Sequence, residues 1–145
     1  MDAKDLYEDT PRGVIVDKKM NLEWLPKDAR GDLGKWVTWD EANYYIQTMR
    51  NVYAGGHADW RLPTKEEALS LYNEDLSLVD WEGETIHIHP AFVPKCGRVI
   101  WTSEANEEGQ ACAVNLQDGT AEFVDKLNRD EYTTRLVRSP NSKGK

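Results

Sequence analysis

The sequence predicts an α+β domain with a mostly antiparallel sheet. Segments that alternate between apolar and polar residues occur near the start of the chain and through its last third, and two helical patterns lie between them. Strands that are grouped in this way, rather than alternated with helices, favour antiparallel pairing. The length of 145 residues suits one domain. We therefore expect two helices packed on the sheet and a long ordered loop before the final strands.

The first predicted element is a β-hairpin. Residues 14–17 and 22–25 form its strands, and Asn21 lies at the turn, where asparagine tolerates the left-handed conformation better than most residues. Pro26 ends the second strand, because proline cannot donate a hydrogen bond to a sheet. Residues 1–12 are charged and show no period, so we expect them to form a loose lead-in.

Two helices are predicted next, and each begins with a capping box. Thr38 with Glu41, and Thr64 with Glu67, place a hydroxyl at the cap and a carboxylate three residues later, where each accepts a backbone N–H of the first turn. The apolar stripes that should face the core are Ala42, Tyr45, Ile46 and Met49 in the first helix and Ala68, Leu69, Leu71 and Tyr72 in the second.

The stretch from residue 73 to residue 98 has no clean period and contains Pro90 and Pro94. It is much longer than the roughly 12–15 residues beyond which a loop in a compact domain is usually functional or disordered. Four apolar side chains are available to anchor it: Trp81, Ile86, Ile88 and Phe92. We therefore predict an ordered loop.

The last third of the chain returns to strand patterns. Alternation predicts strands at residues 99–104, 111–116, 121–127 and 132–138. The dipeptide Asp118-Gly119, between the second and third of these, is a strong hairpin signal. Residues 139–145 are polar and are expected to form a frayed tail.

The net charge of the chain limits the classes of ligand that it is expected to bind. The chain has 18 basic and 26 acidic residues, a net charge of −8 and a pI near 4.9. Nucleic acids and anionic membranes are bound by clustered Lys and Arg, so neither is expected as the partner. A glycan or a protein remains as the ligand. No apolar run is long enough to span a bilayer, and the N-terminus has no signal-peptide core, which predicts a cytoplasmic protein if Met1 is the native start.

Several short motifs follow one another in a distinctive order. The segment GGHADWRLPTKEE occupies residues 55–67; around it lie LEW at 22–24, Trp39 with residues 42–45, PAF at 90–92, WTS at 101–103 and RLVR at 135–138. In this order the motifs resemble a bacterial family, the Lcl C-terminal-like domain, over residues 13–138. The resemblance implies a single domain with a C-type-lectin-like fold, related in architecture to the formylglycine-generating enzyme.

The chain departs from the family pattern at two positions. Ile46 and Leu136 stand where the family often carries cysteines, so an apolar pair replaces an implied disulfide. This replacement fits a reducing compartment. It also predicts that the two side chains meet in the folded protein and tie the first helix to the last strand.

The two cysteines of this chain are predicted to be free thiols. If the hairpin of the last third turns near Glu107, its register places Cys112 opposite Thr102, and the partner of Cys96 then lies near Asp118. That separation is too large for a disulfide. We expect Cys112 to be buried and Cys96 to be the more reactive thiol; a loop that folds back over the hairpin is the alternative.

No metal or cofactor is predicted. His87 and His89 lie two apart and could bind a metal with His57 as a third ligand, but two imidazoles beside a proline are more often polar loop residues. Residues 114–118 offer oxygen ligands, yet Asp118 is better explained as a turn residue, and the lectin calcium signatures are missing. Any glycan binding is thus expected to be independent of calcium.

The sequence favours a non-enzymatic binding or interaction module, with an uncharacterised glycan or protein as its ligand. No catalytic signature is found. We expect ligand contact at the long loop and the following hairpin tip, through Trp81, His87, His89, Glu104 and Asn106. Two alternatives stay open: an enzyme of the formylglycine-generating type, although no cysteine spacing reproduces its site, and a scaffold domain that only pairs with a protein.

Overall fold

The computed structural model describes residues 3–128 and 130–140 of the chain. The helices and strands in chain order are β1 (Tyr7–Asp9), β2 (Ile15–Asp17), β3 (Leu22–Trp24), α1 (Ala29–Leu33), α2 (Trp39–Asn51), α3 (Lys65–Ser70), β4 (Leu78–Val79), β5 (Thr85–Ile86), β6 (Val99–Ala105), β7 (Gln110–Asn115), β8 (Thr120–Asp125), β9 (Tyr132–Thr133) and β10 (Val137–Arg138). Short 3₁₀ turns lie at Ala3–Leu6 and Ala54–Gly56. The fold is α+β, as the sequence predicted.

The strands form two four-stranded sheets and one small hairpin. The first sheet has the order β1-β2-β3-β10 and is antiparallel throughout. The second has the order β8-β7-β6-β9 and is antiparallel except for the pair β6–β9. β4 and β5 pair with each other. In the part of the chain that the structure describes, no helix is long and apolar enough to cross a membrane.

The first predicted hairpin is confirmed, but the lead-in is not loose. β2 pairs with β3, and Asn21 at their turn has a φ of 57°. The prediction for residues 1–12 is wrong in part, because Tyr7–Asp9 forms the edge strand β1 and the Tyr7 side chain is buried in the core. A three-residue strand is too short to show a period in the sequence.

Both predicted capping boxes are present. Thr38 accepts the Glu41 N–H at 3.2 Å, and Thr64 accepts the Glu67 N–H at 3.1 Å. A third helix, α1, was not predicted. It has only five residues, begins at the Asp28 cap and ends at Gly34 in the left-handed conformation, so it has no room for an apolar stripe.

The long loop is anchored as predicted. Ile86, Ile88 and Phe92 are buried in the core, and the β4–β5 hairpin interrupts the segment. His87 donates its backbone N–H to the Leu116 carbonyl at 2.9 Å, which ties the loop to the end of β7. The loop is therefore an ordered part of the fold.

The predicted strand at 132–138 is wrong as a single strand. Residues 132–133 pair with β6 in one sheet, and residues 137–138 pair with β3 in the other. The residues between them cross from sheet to sheet: the Thr134 hydroxyl donates to the Trp101 carbonyl at 3.1 Å, and the Leu136 carbonyl accepts the Leu25 N–H at 3.1 Å. Both sides of this segment are buried, so its alternation did not reveal the break.

The core consists of two clusters of buried side chains. Trp24, Ile86, Ile100 and Val114 belong to the first, which α3 and the long loop cover. Trp60, Trp101, Ile46 and Leu136 belong to the second, which α2 covers. Ile46 and Leu136 are both buried in the same cluster, as expected of an apolar pair in place of a disulfide.

Both cysteines are free and buried. The register of β6 and β7 places Thr102 beside Cys112, whose carbonyl accepts the Thr102 hydroxyl at 3.0 Å, so that prediction is confirmed. Cys96 instead pairs with Asp80 rather than with a residue near Asp118. Burial, above all, raises the pKa of the Cys96 thiol, so the expectation that it is the more reactive thiol conflicts with its environment.

Candidate ligand-binding groove

A groove of about 450 Å³ opens between the start of α2, the segment before α3, and the middle of β6. We call it the Trp39 groove. Its lining residues are Trp39, Asn43, Ile46, Arg61, Leu62, Thr64 and Ser103. The GGHADWRLPTKEE motif spans the segment before α3 and the first residues of that helix, so the most distinctive part of the sequence contributes to the lining of the groove.

The Trp39 indole is fixed at one end of this groove. Its Nε1 donates to the Thr102 carbonyl at 2.9 Å, and its backbone N–H donates to the Lys126 carbonyl at 3.0 Å. The Lys126 ammonium lies 4.5 Å from the centre of the indole ring. Trp39 is only partly buried, and its side chain lines the groove.

The Arg61 side chain also lines the groove, and its guanidinium is held by several hydrogen bonds. It makes two parallel contacts with the Glu67 carboxylate, at 2.8 and 2.9 Å, and donates to the Ser139 hydroxyl at 2.7 Å. Burial works to raise the pKa of Glu67, but Arg61 and the Thr64 backbone N–H outweigh it and hold that pKa below its ordinary value. Glu67 therefore stays ionised and serves both the ion pair and the capping box.

Two small polar side chains complete the lining. Asn43 lines the groove and donates its amide N–H to the Trp39 carbonyl at 2.9 Å, which fixes the amide; its oxygen can act as an acceptor. Ser103 is exposed, and its backbone N–H donates to the Pro63 carbonyl at 2.8 Å. An indole edge, an amide oxygen, a hydroxyl and a guanidinium can together bind a polar ligand by directed hydrogen bonds.

The GGHADWRLPTKEE motif is fixed in place by packing and by ion pairs. Gly55 has a φ of 61°, and a Cβ at that position would come within 2.6 Å of Val14 Cγ1. Trp60 is fully buried and donates from Nε1 to the Ala54 carbonyl at 2.8 Å. Asp59 accepts from Arg138 Nε at 2.6 Å. These contacts give the wall of the groove a defined position before any ligand arrives.

Of the five residues predicted to contact ligand, Glu104 lies beside the groove. It follows Ser103 directly, and its carboxylate accepts the Lys65 N–H at 3.3 Å. In the described part of the chain, no hydrogen bond, ion pair or ring contact joins any two of the five. The five residues therefore make no direct contact with one another, and their common role in ligand binding stays a prediction.

Trp81 and Asn106 have separate local partners. The Trp81 ring packs edge-on against Trp36 with centroids 4.7 Å apart, and the Arg98 guanidinium lies 4.6 Å from it. Asn106 forms the tip of the β6–β7 hairpin, where its oxygen accepts the backbone N–H groups of Glu108 at 2.9 Å and Gln110 at 3.1 Å. Asn106 is thus already used to form the turn.

The two histidines are also engaged, and in different places. His89 Nδ1 accepts the Ala91 N–H at 2.9 Å, so Nε2 carries the proton and donates to the Lys4 carbonyl at 2.8 Å. His87 donates from Nδ1 to the Leu76 carbonyl at 2.9 Å, and its ring packs against Tyr72. Among the described residues, no group of three or more His, Cys, Asp or Glu side chains is arranged to hold a metal ion.

Sequence reasoning missed Asn43, Arg61 and Ser103. The available signal was the position of Arg61, which precedes a capping box whose glutamate can also bind a guanidinium. Ser103 follows three buried residues of β6, on a strand whose second half is exposed, and the strand pattern alone does not show which residues pack above it. Asn43 lies on the flank of α2 between the buried and exposed faces.

The fold and the groove define a small α+β domain with a surface groove that both polar and apolar side chains line. The family model described as the Lcl C-terminal domain matches residues 13–138. The chain therefore belongs to the Lcl C-terminal domain family, as the order of its motifs indicated. Comparison with curated proteins gave no match.

Proposed function

We propose that the protein is a non-enzymatic binding module, and that the Trp39 groove binds a neutral polar ligand, such as a segment of a glycan, without calcium. The observation that carries the proposal is the lining itself: the side chains of Trp39, Asn43 and Ser103, with apolar neighbours, line a groove of about 450 Å³. Sugars present hydroxyl groups and apolar ring faces, and this combination of side chains suits both.

The rigidity of the groove supports binding. Trp39, Asn43 and Arg61 are each held by hydrogen bonds to the protein before a ligand is present. Side chains that are already ordered lose little conformational entropy when a ligand binds. A ligand that hydrogen-bonds to Asn43 and Ser103 would then meet its partners in fixed positions.

We further propose that the arrangement is C-type-lectin-like. The helices pack on mostly antiparallel sheets, and a long ordered loop joins α3 to β6, which supports the assignment. The formylglycine-generating alternative is less well supported, because burial raises the pKa of both Cys96 and Cys112, and a reactive cysteine needs a thiolate. The assignment of ligand contact to Trp81, His87, His89 and Asn106 stays a prediction.

The experiment is a glycan and peptide array on the purified chain, with calcium and with a chelator. We expect saturable glycan binding that calcium does not change and that Asn43→Ala and Ser103→Ala each weaken. Gln47→Ala, on the exposed face of α2, and Glu107→Ala, at the hairpin tip, serve as matched controls. Binding that needs calcium, or that survives both groove substitutions, would contradict the proposal; turnover of a cysteine peptide would favour the enzyme instead.

We also propose a reducing compartment for this protein. The two free thiols and the apolar residues at positions 46 and 136 support it. Counting thiols in denaturant on freshly purified protein tests this. Two titratable thiols agree with the proposal, and none would contradict it.

A further inference from the structure

Strand β8 lies at the open edge of the second sheet. The sheet order is β8-β7-β6-β9, so β8 has a neighbour on one side only. The opposite edge is covered, because the Tyr132 carbonyl of β9 accepts the Val37 N–H at 2.9 Å. β8 is six residues long, whereas the edge strand β1 of the first sheet has three. The outer side of β8 is thus the longest open edge among the described strands.

The backbone of β8 presents hydrogen-bonding groups at this edge. Lys126 donates to the Gly109 carbonyl at 3.0 Å, which continues the ladder with β7. Since the direction of N–H and C=O groups alternates along a strand, Glu122 and Val124 face β7, and Ala121 and Phe123 point outward. In the described part of the chain, no hydrogen bond uses the backbone groups of Ala121 or Phe123.

The side chains of β8 differ between the two faces of the sheet. Phe123 lies opposite Cys112 and is 41% exposed. Glu122 lies on the other face, where a small pocket of about 100 Å³ is lined by Val99, Ala113, Asn115, Thr120, Glu122 and Tyr132. An added strand would therefore meet an apolar ring on one face and a carboxylate beside a pocket on the other.

The chain segment that contains β8 is acidic. Residues 104–131 contain eight acidic and two basic residues, a net charge of −6 out of −8 for the whole chain. One of the two basic residues, Lys126, stacks on Trp39. Burial mainly, and then the charges of Glu122 and Asp130, raise the pKa of the Tyr132 phenol, so these carboxylates act on the same small region.

We propose that the β8 edge docks a basic, extended segment of a partner protein by strand addition. The segment places an apolar side chain over Phe123, and its two neighbours, Lys or Arg, face Glu122 and the small pocket. Backbone hydrogen bonds to Ala121 and Phe123 supply affinity. Attraction between the basic residues of the segment and the acidic residues near β8 makes the binding specific for a basic partner. A second copy of this chain is disfavoured, because two acidic edges would repel each other.

The probe is a synthetic nine-residue peptide, Thr-Lys-Thr-Lys-Val-Lys-Thr-Lys-Thr, blocked at both ends. Two control peptides have the same length. In the first, glutamate replaces every lysine. The second keeps the lysines but carries N-methyl groups on the backbone nitrogens of the central valine and of the third and seventh residues, both threonines. We expect the first peptide to shift the amide signals of Ala121 and Phe123 in ¹⁵N spectra and to slow their hydrogen exchange. The glutamate peptide should not bind, and the N-methylated peptide should bind at least about tenfold more weakly.

Variants of the protein locate the site. Glu122→Lys should weaken peptide binding about tenfold or more, whereas Glu8→Lys on the β1 edge, with the same change in net charge, should change it less than about twofold. Phe123→Pro removes an outward N–H and leaves the ladder with β7 intact, so it should abolish strand addition in a protein whose circular dichroism is unchanged.

Three results would overturn the proposal. They are equal weakening by Glu122→Lys and Glu8→Lys, full binding of the N-methylated peptide, and a β8-mediated dimer of the chain in sedimentation. None of them depends on the Trp39 groove, so the proposed function is tested separately.

Discussion

Two buried arginines, three residues apart on the last segment of the chain, are accommodated in different ways. Arg138 lies in the first sheet, where Nη1 contacts Glu23 at 2.6 Å and Nε contacts Asp59 at 2.6 Å. Arg135 lies in the crossing between the sheets and is fully buried. Its Nη1 makes one long contact, 3.4 Å, with the Pro26 carbonyl.

The two environments differ in what compensates the charge. Arg138 has two carboxylates, whereas Arg135 has no carboxylate contact in the described part of the chain. The Arg135 guanidinium lies 4.8 Å from the centre of the Phe92 ring and close to the Cys96 thiol, and its Nε and Nη2 have no hydrogen-bonded acceptor among the described residues. A buried charge with hydrogen-bonded partners and one held mainly against an aromatic ring should respond differently to the same substitution.

The largest effect is expected at Arg138. Arg138→Met leaves the carboxylate of Glu23 buried without its main partner, which should lower the free energy of unfolding by about 3–5 kcal/mol. The control is Arg12→Met, because Arg12 also approaches Glu23, at 3.5 Å, but its side chain is 54% exposed; it should cost less than about 1 kcal/mol. Chemical denaturation measures both. Equal midpoints for the two variants would contradict the comparison.

Leu136 lies between the two arginines. Its substitution tests how much apolar packing, rather than charge, stabilises this segment. Leu136→Ala removes a fully buried side chain from the second core cluster and should cost about 2–5 kcal/mol. Ile46→Ala, in the same cluster, should cost less, because Ile46 retains 8% exposure. If the two side chains replace a disulfide and touch each other, the double variant should lose less free energy of unfolding than the sum of the losses in the two single variants. The reason is that each single variant already removes the contact between them.

A smaller effect is expected where an arginine shares its carboxylate with a helix cap. Thr64→Ala removes the acceptor for the Glu67 N–H but leaves the Arg61–Glu67 pair, so it should cost about 0.5–2 kcal/mol. Thr64→Ser keeps the acceptor and is the control. An unchanged denaturation midpoint for Thr64→Ala would show that the cap contributes nothing at this position.

Sequence patterns correctly predicted those parts of the fold that depend on contacts between residues close together in the chain. The two capping boxes and the turn at Asn21 each depend on residues within three or four positions of one another. The register that sets Cys112 beside Thr102 followed from the hairpin turn. The break between β9 and β10 did not follow, because the partners of residues 132–138 lie on two sheets far away in the sequence.

The candidate site shows the same limit. Glu104 was predicted and lies beside the Trp39 groove, but the groove itself joins residues 39–64 to Ser103, and only tertiary packing brings them together. His87 and His89 were chosen because imidazoles bind ligands, yet each ring is hydrogen-bonded to a backbone carbonyl, that of Leu76 for His87 and that of Lys4 for His89. A sequence shows which side chains can form a site, and the fold decides which of them remain available.

The smallest effect is expected at Arg135, and its sign is the sharpest test of the comparison. Arg135→Met keeps most of the volume, leaves no carboxylate unpaired, and removes two N–H donors that have no acceptor among the described residues. Replacing a buried charge by an apolar side chain of similar size is often neutral or stabilising, so the change in unfolding free energy should stay within about 1 kcal/mol of zero or be favourable. Arg135→Lys is the informative control, because it keeps the charge but loses the planar contact with Phe92, and it should be less stable than Arg135→Met. Arg135→Met could instead lower the free energy of unfolding as much as Arg138→Met does. That result would show that the charge of Arg135 is compensated as fully as the charge of Arg138, and the contrast between the two arginines would be wrong.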